Sequence, residues 1–79
     1  MFTNEFEYDY SITTLMDDKG EHEDVHLIIT DEGLVHVRQW DEQRQRFDVV
    51  TMSADMFLEL REALQKPEGM FKTVIVRKE

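Results

Sequence analysis

Arg38 and Trp40 stand two residues apart in the run Val35, His36, Val37, Arg38, Gln39, Trp40. On a strand that spacing puts a guanidinium and an indole on one side. An indole stacks on nucleobases and a guanidinium neutralises phosphate, which is what a surface for unpaired nucleic acid needs. Arg44 and Arg46 follow in a polar turn and add two more cations. Stacking of Trp40 on a base would contribute about 1–3 kcal/mol. Arg38, Arg44 and Arg46 would supply phosphate contacts and a salt-dependent share of affinity. His26 and His36 fall on the same side and complete the candidate surface. A second arrangement fits the same residues: Trp40 caps an edge of the core, and the arginines pair with nearby acids.

Other chemistries find less support. His22, Glu23 and His26 match the zincin pattern H-E-x-x-H. That pattern works on a helix, where residues four apart share a face. Gly20 precedes it and Leu27, Ile28, Ile29 follow as strand, and four residues of strand span about 13 Å, beyond the reach of one metal. His26 and His36 lie diagonally across a hairpin and read as two partly exposed histidines rather than ligands. Asp17, Asp18, Glu21, Glu23 and Asp24 lack the spacing of an EF-hand loop and read as a solvated turn. Ser11 and Ser53 have no His–Asp partners by spacing, and Ser53 serves as a helix cap. No nucleophile, phosphate-cradling glycine loop or apolar carboxylate pair is present. The expectation is a protein that is not an enzyme and holds no cofactor or metal.

The elements that position Arg38 and Trp40 follow from periodicity. Phe6, Tyr8, Tyr10 and Ile12 alternate with Glu5, Glu7, Asp9 and Ser11, which predicts one half-buried strand with the aromatic stripe as core. Residues 17–20 form a turn. Residues 25–30 predict a second strand and residues 34–40 a third, joined by the tight loop Asp31, Glu32, Gly33. With that loop Ile28 faces His36 and His26 faces Arg38. One side then carries Val25, Leu27, Ile29, Val35 and Val37. The other carries His26, Ile28, Thr30, His36, Arg38 and Trp40. Residues 47–52 predict a fourth strand. Ser53 caps a helix with Asp55 in its first turn, and Met56, Phe57, Leu60 and Leu64 mark its apolar face, as core or as core and dimer interface. Pro67 and Gly69 end it, and residues 71–76 read as a last short strand. The fold class is α+β: a curved antiparallel meander, ββββα with a further strand, and one helix on its apolar face, in a single domain over residues 1–79.

Composition limits the partners. The net charge is -9. Residues 1–33 carry ten acids and one base, Lys19, whereas residues 34–79 are balanced. The acidity belongs to the first half. A chain of 79 residues has a marginal core, which dimerisation would enlarge. With no cysteine, disulfides and thiolate metal sites are excluded. No apolar run approaches a membrane span, and the N-terminus shows no basic stretch followed by an apolar one. The expected location is the cytoplasm, away from any membrane.

Residues 6–65 resemble the positive cofactor four family of single-stranded DNA-binding proteins, especially its short bacterial members. The family's third strand ends in Asp-Ile-Arg-[Asp/Glu]-[Trp/Tyr]. His36, Val37, Arg38, Gln39 and Trp40 are similar, matching at the aliphatic, arginine and aromatic positions. Val50, Thr51, Met52 and Ser53, with Leu58, Leu60, Arg61 and Leu64, resemble the family's Leu-Thr segment and helix. Lys19 and Gly20 resemble its first Lys-Gly turn. The resemblance implies a ββββα protomer that dimerises through its helix and binds unpaired DNA on its sheets, without catalysis, in transcription or DNA handling. Arg38 and Trp40 would then lie at the binding surface, with Arg44 and Arg46 in the adjacent loop. The chain departs from the pattern where the family has lysines, placing Glu21, Glu23 and Asp24 there, and in the added strand at its end.

Two functional expectations result. The first is a homodimer that binds single-stranded DNA, or RNA, through the Arg38 and Trp40 face. The second is an acidic interaction module whose negative first half imitates nucleic acid for a basic protein partner. A purely structural subunit of a larger complex is a third.

Overall fold

The computed structural model describes residues 1–66 and 68–69. Five strands precede one helix: β1 (Phe2–Phe6), β2 (Tyr10–Leu15), β3 (Val25–Thr30), β4 (Leu34–Asp41), β5 (Arg46–Ser53) and α1 (Ala54–Leu64). Each strand pairs antiparallel with the next, in the order β1-β2-β3-β4-β5, so the sheet is an open meander. The protein is α+β. The strand expected at residues 71–76, and the stop at Pro67, lie outside the described residues. No helix of the described residues is long and apolar enough to cross a membrane.

The first expected strand is instead a hairpin. The chain reverses at Glu7, Tyr8 and Asp9, where the Glu7 amide donates to the Tyr10 carbonyl at 2.9 Å. Period two ran through this turn because no Gly or Pro marks it. What the pattern missed is Thr13 and Thr14, β-branched residues that extend β2 to Leu15 and let it pair fully with the six residues of β3. The reversal also corrects the aromatic stripe. Tyr8 sits on the turn and is fully exposed, and Phe6 is 80% exposed, so neither is core.

The β2–β3 loop is ordered by Asp17. Its carboxylate accepts from the amides of Lys19, Glu21 and His22 at 3.2, 3.0 and 3.1 Å. These bonds, first among them the one from Lys19, hold the Asp17 pKa below its ordinary 3.8. The β3–β4 turn uses Gly33 at φ 84, a left-handed conformation that glycine adopts without steric cost. The Gly33 carbonyl then accepts from the Ala54 amide at 3.0 Å, which ties the start of α1 to that turn. Ser53 caps the helix as expected, its Oγ accepting from the Met56 amide at 3.2 Å.

The expected register of β3 against β4 holds: Ile28 faces His36 and His26 faces Arg38. Residues directly opposite in an antiparallel pair share a side of the sheet. One side, the apolar face, therefore collects Leu15, Val25, Leu27, Ile29, Val35, Val37, Val50 and Met52. Of all described side chains only Val35, at 1% exposure, is fully buried. The main contacts of α1 with the sheet are with β5 and β4. No residue of α1 is buried, and Met56 is 61% exposed, with Leu58, Leu60 and Leu64 also exposed. The helical stripe read as core thus packs only lightly in a single chain.

Candidate nucleic-acid interface

The other side of the sheet, the mixed face, carries Tyr10, Ile12, His26, Ile28, Thr30, His36, Arg38, Trp40, Phe47, Val49 and Thr51. Arg38 is opposite both His26 and Val49, and Trp40 is opposite Phe47. This register brings four side chains together. The Arg38 guanidinium carbon lies 4.5 Å from the centre of the Phe47 ring. Trp40 meets Phe47 edge-on, with centroids 5.0 Å apart and planes at 74°. His26 meets the same ring at 6.2 Å. Arg38 Nε also donates to His26 Nδ1 at 3.3 Å, which requires that nitrogen to carry no proton.

Phe47 is the centre of this cluster, and sequence reasoning used it only as the start of a strand. The signal that finds it is the register of β4 against β5, which places an aromatic directly across from Trp40. Cation–π and edge-on aromatic contacts both favour this arrangement. Among the described residues no carboxylate lies within ion-pair distance of Arg38. Its guanidinium is held against an aromatic face and a histidine nitrogen.

The remaining candidates are placed differently. His36 is on the mixed face, its Nδ1 2.8 Å from Thr51 Oγ1. Trp40 is half-buried, and its indole N–H donates to the Glu42 carboxylate at 2.7 Å. Arg44 sits in the β4–β5 turn, its Nε 3.6 Å from Asp41. Arg46 is opposite Asp41, on the apolar side of the sheet. The register therefore joins Arg38, Trp40 and the two histidines on one side and puts Arg46 on the other, while Arg44 lies in the turn beyond the paired residues. His22 lies in the β2–β3 loop and His26 on β3, so the zincin-like pattern straddles a loop and a strand.

Acids bracket the mixed face. At one end Asp9 is in the β1–β2 turn and Asp31 and Glu32 are in the β3–β4 turn, and the Asp31 amide donates to the Asp9 carbonyl at 2.9 Å. At the other end the Glu42 carboxylate holds the Trp40 indole N–H.

A family model for a domain of unknown function, DUF8831, matches residues 3–63. The chain belongs to the DUF8831 family. The matched span runs from β1 into the last turn of α1, so sheet and helix together form the DUF8831 unit. No curated protein and no solved structure matches the chain.

Proposed function

We propose that the mixed face binds single-stranded nucleic acid, DNA or RNA, without catalysis. The observation that carries this reading is Arg38: a guanidinium with no carboxylate partner among the described residues, seated on Phe47 beside Trp40. A cation held in place in this way meets a phosphate with little ordering cost, and the neighbouring rings offer faces for bases. The similarity of residues 36–40 to the DNA-binding strand of the positive cofactor four family supports the same reading. Exposed Leu15, Val50, Met56 and Leu58 support a homodimer in which a second copy covers the apolar face and helix and leaves the mixed faces open. Trp40, the one tryptophan, reports binding directly. Titration with oligo-dT at low salt should quench its emission, and the response should weaken steeply as salt rises. No response up to about 100 μM, the weak end of non-specific binding, refutes the reading.

The acids at both ends of the mixed face, with the acidic β2–β3 loop, favour a second reading, an acidic module for a basic protein partner. Like charges there repel a phosphate backbone and attract lysine and arginine. Capture of a basic protein that is lost on charge reversal of Glu21, Glu23 and Asp24 supports it. Capture that survives the reversal removes it.

A further inference from the structure

A cleft of about 400 Å³ opens on the mixed face. Its floor is Ile12 and Ile28, directly opposite each other on β2 and β3. Tyr10 and Thr30, the next pair, flank the floor. Beyond them Asp9, Asp31 and Glu32 line one end, and Arg38 lines the other. Arg38 is level with His26, four residues along β3 from Thr30, a span of about 13 Å. The cleft thus has hydrogen-bond acceptors at one end, a cation at the other and apolar surface between.

This polarity restricts what part of a nucleotide can sit where. Ionised carboxylates only accept hydrogen bonds. They repel phosphate and suit a group that donates, and in a single strand of DNA the groups that donate are base edges. Unpaired bases are read on their Watson–Crick edges. Guanine presents an imino N–H and an amino group side by side, a match for the two oxygens of one carboxylate. Adenine and cytosine present an amino group beside an acceptor, and thymine and uracil one imino N–H between two acceptors. An acceptor pointed at a carboxylate is left unpaired and costs affinity.

We propose that this cleft holds a guanine of a single strand. Its donor edge faces Asp31 or Glu32, its ring lies over Ile12 and Ile28 beside Tyr10, and its phosphate is met by Arg38. The inference rests on the nucleic-acid reading and gives the acids of the first half a part in it: at this end of the sheet they recognise a base.

The test is fluorescence anisotropy with four labelled 12-mers at low salt: oligo-dT, and the dT-dG, dT-dA and dT-dC strands that carry dG, dA or dC at every third position of a dT run, none of them self-complementary. The dT-dG strand should bind at least about fivefold more tightly than the dT-dA strand, the discrimination expected of a good bidentate pair. The double variant Asp31→Asn with Glu32→Gln should lose that preference and keep or gain affinity for oligo-dT. Both positions are exposed turn residues, and circular dichroism of the variant checks the fold. Equal binding of all four strands overturns the guanine assignment while the nucleic-acid reading stands. A preference that survives the double variant also overturns it, since the carboxylates are then not the acceptors. Failure of every strand to bind overturns the nucleic-acid reading and this inference with it.

Discussion

Replacing Phe47 with leucine keeps most of the apolar volume and removes the ring on which Arg38, Trp40 and His26 converge. The structure fixes what is lost. Arg38 lies 4.5 Å from the ring centre, and an exposed cation–π contact of that kind contributes about 0.5–1 kcal/mol. The edge-on contact with Trp40 at 5.0 Å contributes about 0.5–1.5 kcal/mol beyond burial. Phe47 is 39% exposed, so the leucine leaves no closed cavity and the cavity penalty is small. Phe47→Leu should therefore destabilise the fold by about 1–2.5 kcal/mol. Urea unfolding followed by far-ultraviolet circular dichroism measures this, with an unchanged slope showing that the unfolded state is the same. A double-mutant cycle with Arg38→Met isolates the pair and should return a coupling of about 0.5–1 kcal/mol. A midpoint equal to that of the wild type, or a coupling of zero, would refute the view that Phe47 is the platform of the cluster.

Three further outcomes are expected. Glu42→Gln keeps an acceptor for the Trp40 indole N–H, now 2.7 Å from the carboxylate, and deletes a negative charge. It should tighten oligo-dT binding roughly threefold to fivefold by titration, the scale of one unit charge at contact distance in water. Asp17 is held below 3.8 by the amide of Lys19 and then those of Glu21 and His22. Its folded pKa is depressed, so its contribution to loop order is present above the ordinary value and is lost as pH falls through the lower folded value. A carboxyl carbon-13 titration should place its midpoint below 3.8, and a midpoint at or above that value removes the assigned bonds. Gln45 adopts φ 54, a conformation that costs a side-chain-bearing residue about 1 kcal/mol or more. Gln45→Gly relieves this strain but removes the bond from Gln45 Nε2 to the Glu42 carbonyl at 2.7 Å, so Gln45→Asn, which tolerates the same φ better, should raise the urea midpoint more than Gln45→Gly does. A lower midpoint for Gln45→Asn than for Gln45→Gly contradicts this.

Much of the sheet was legible because its signals are local. Gly33 fixes a short loop, the loop fixes the register, and the register puts His26 beside Arg38. Ser53 was readable as a cap because a hydroxyl before an apolar-periodic run has few other uses. The first hairpin was not legible, since Glu7, Tyr8 and Asp9 make a turn without Gly or Pro, and period two passes through them unbroken. Arg38 and Trp40 were found by spacing alone. Phe47 was not, because its role depends on a partner across the sheet rather than on its own neighbours in the chain. Arg46 reads as part of the same patch in sequence because distance along the chain is blind to which side of the sheet a residue faces. The cleft was invisible for the same reason, as its lining comes from two turns and three strands.

The most direct measurement is an amide and indole proton–nitrogen spectrum of the labelled protein, titrated with a single-stranded 12-mer at low salt. A single-stranded ligand on the mixed face should shift the amides of His26, Arg38 and Phe47 and the indole N–H of Trp40 most, and the shifts should fade at about 0.2 M salt. An unchanged spectrum, or shifts concentrated at Met56, Leu60 and Leu64 of the helix, would contradict it.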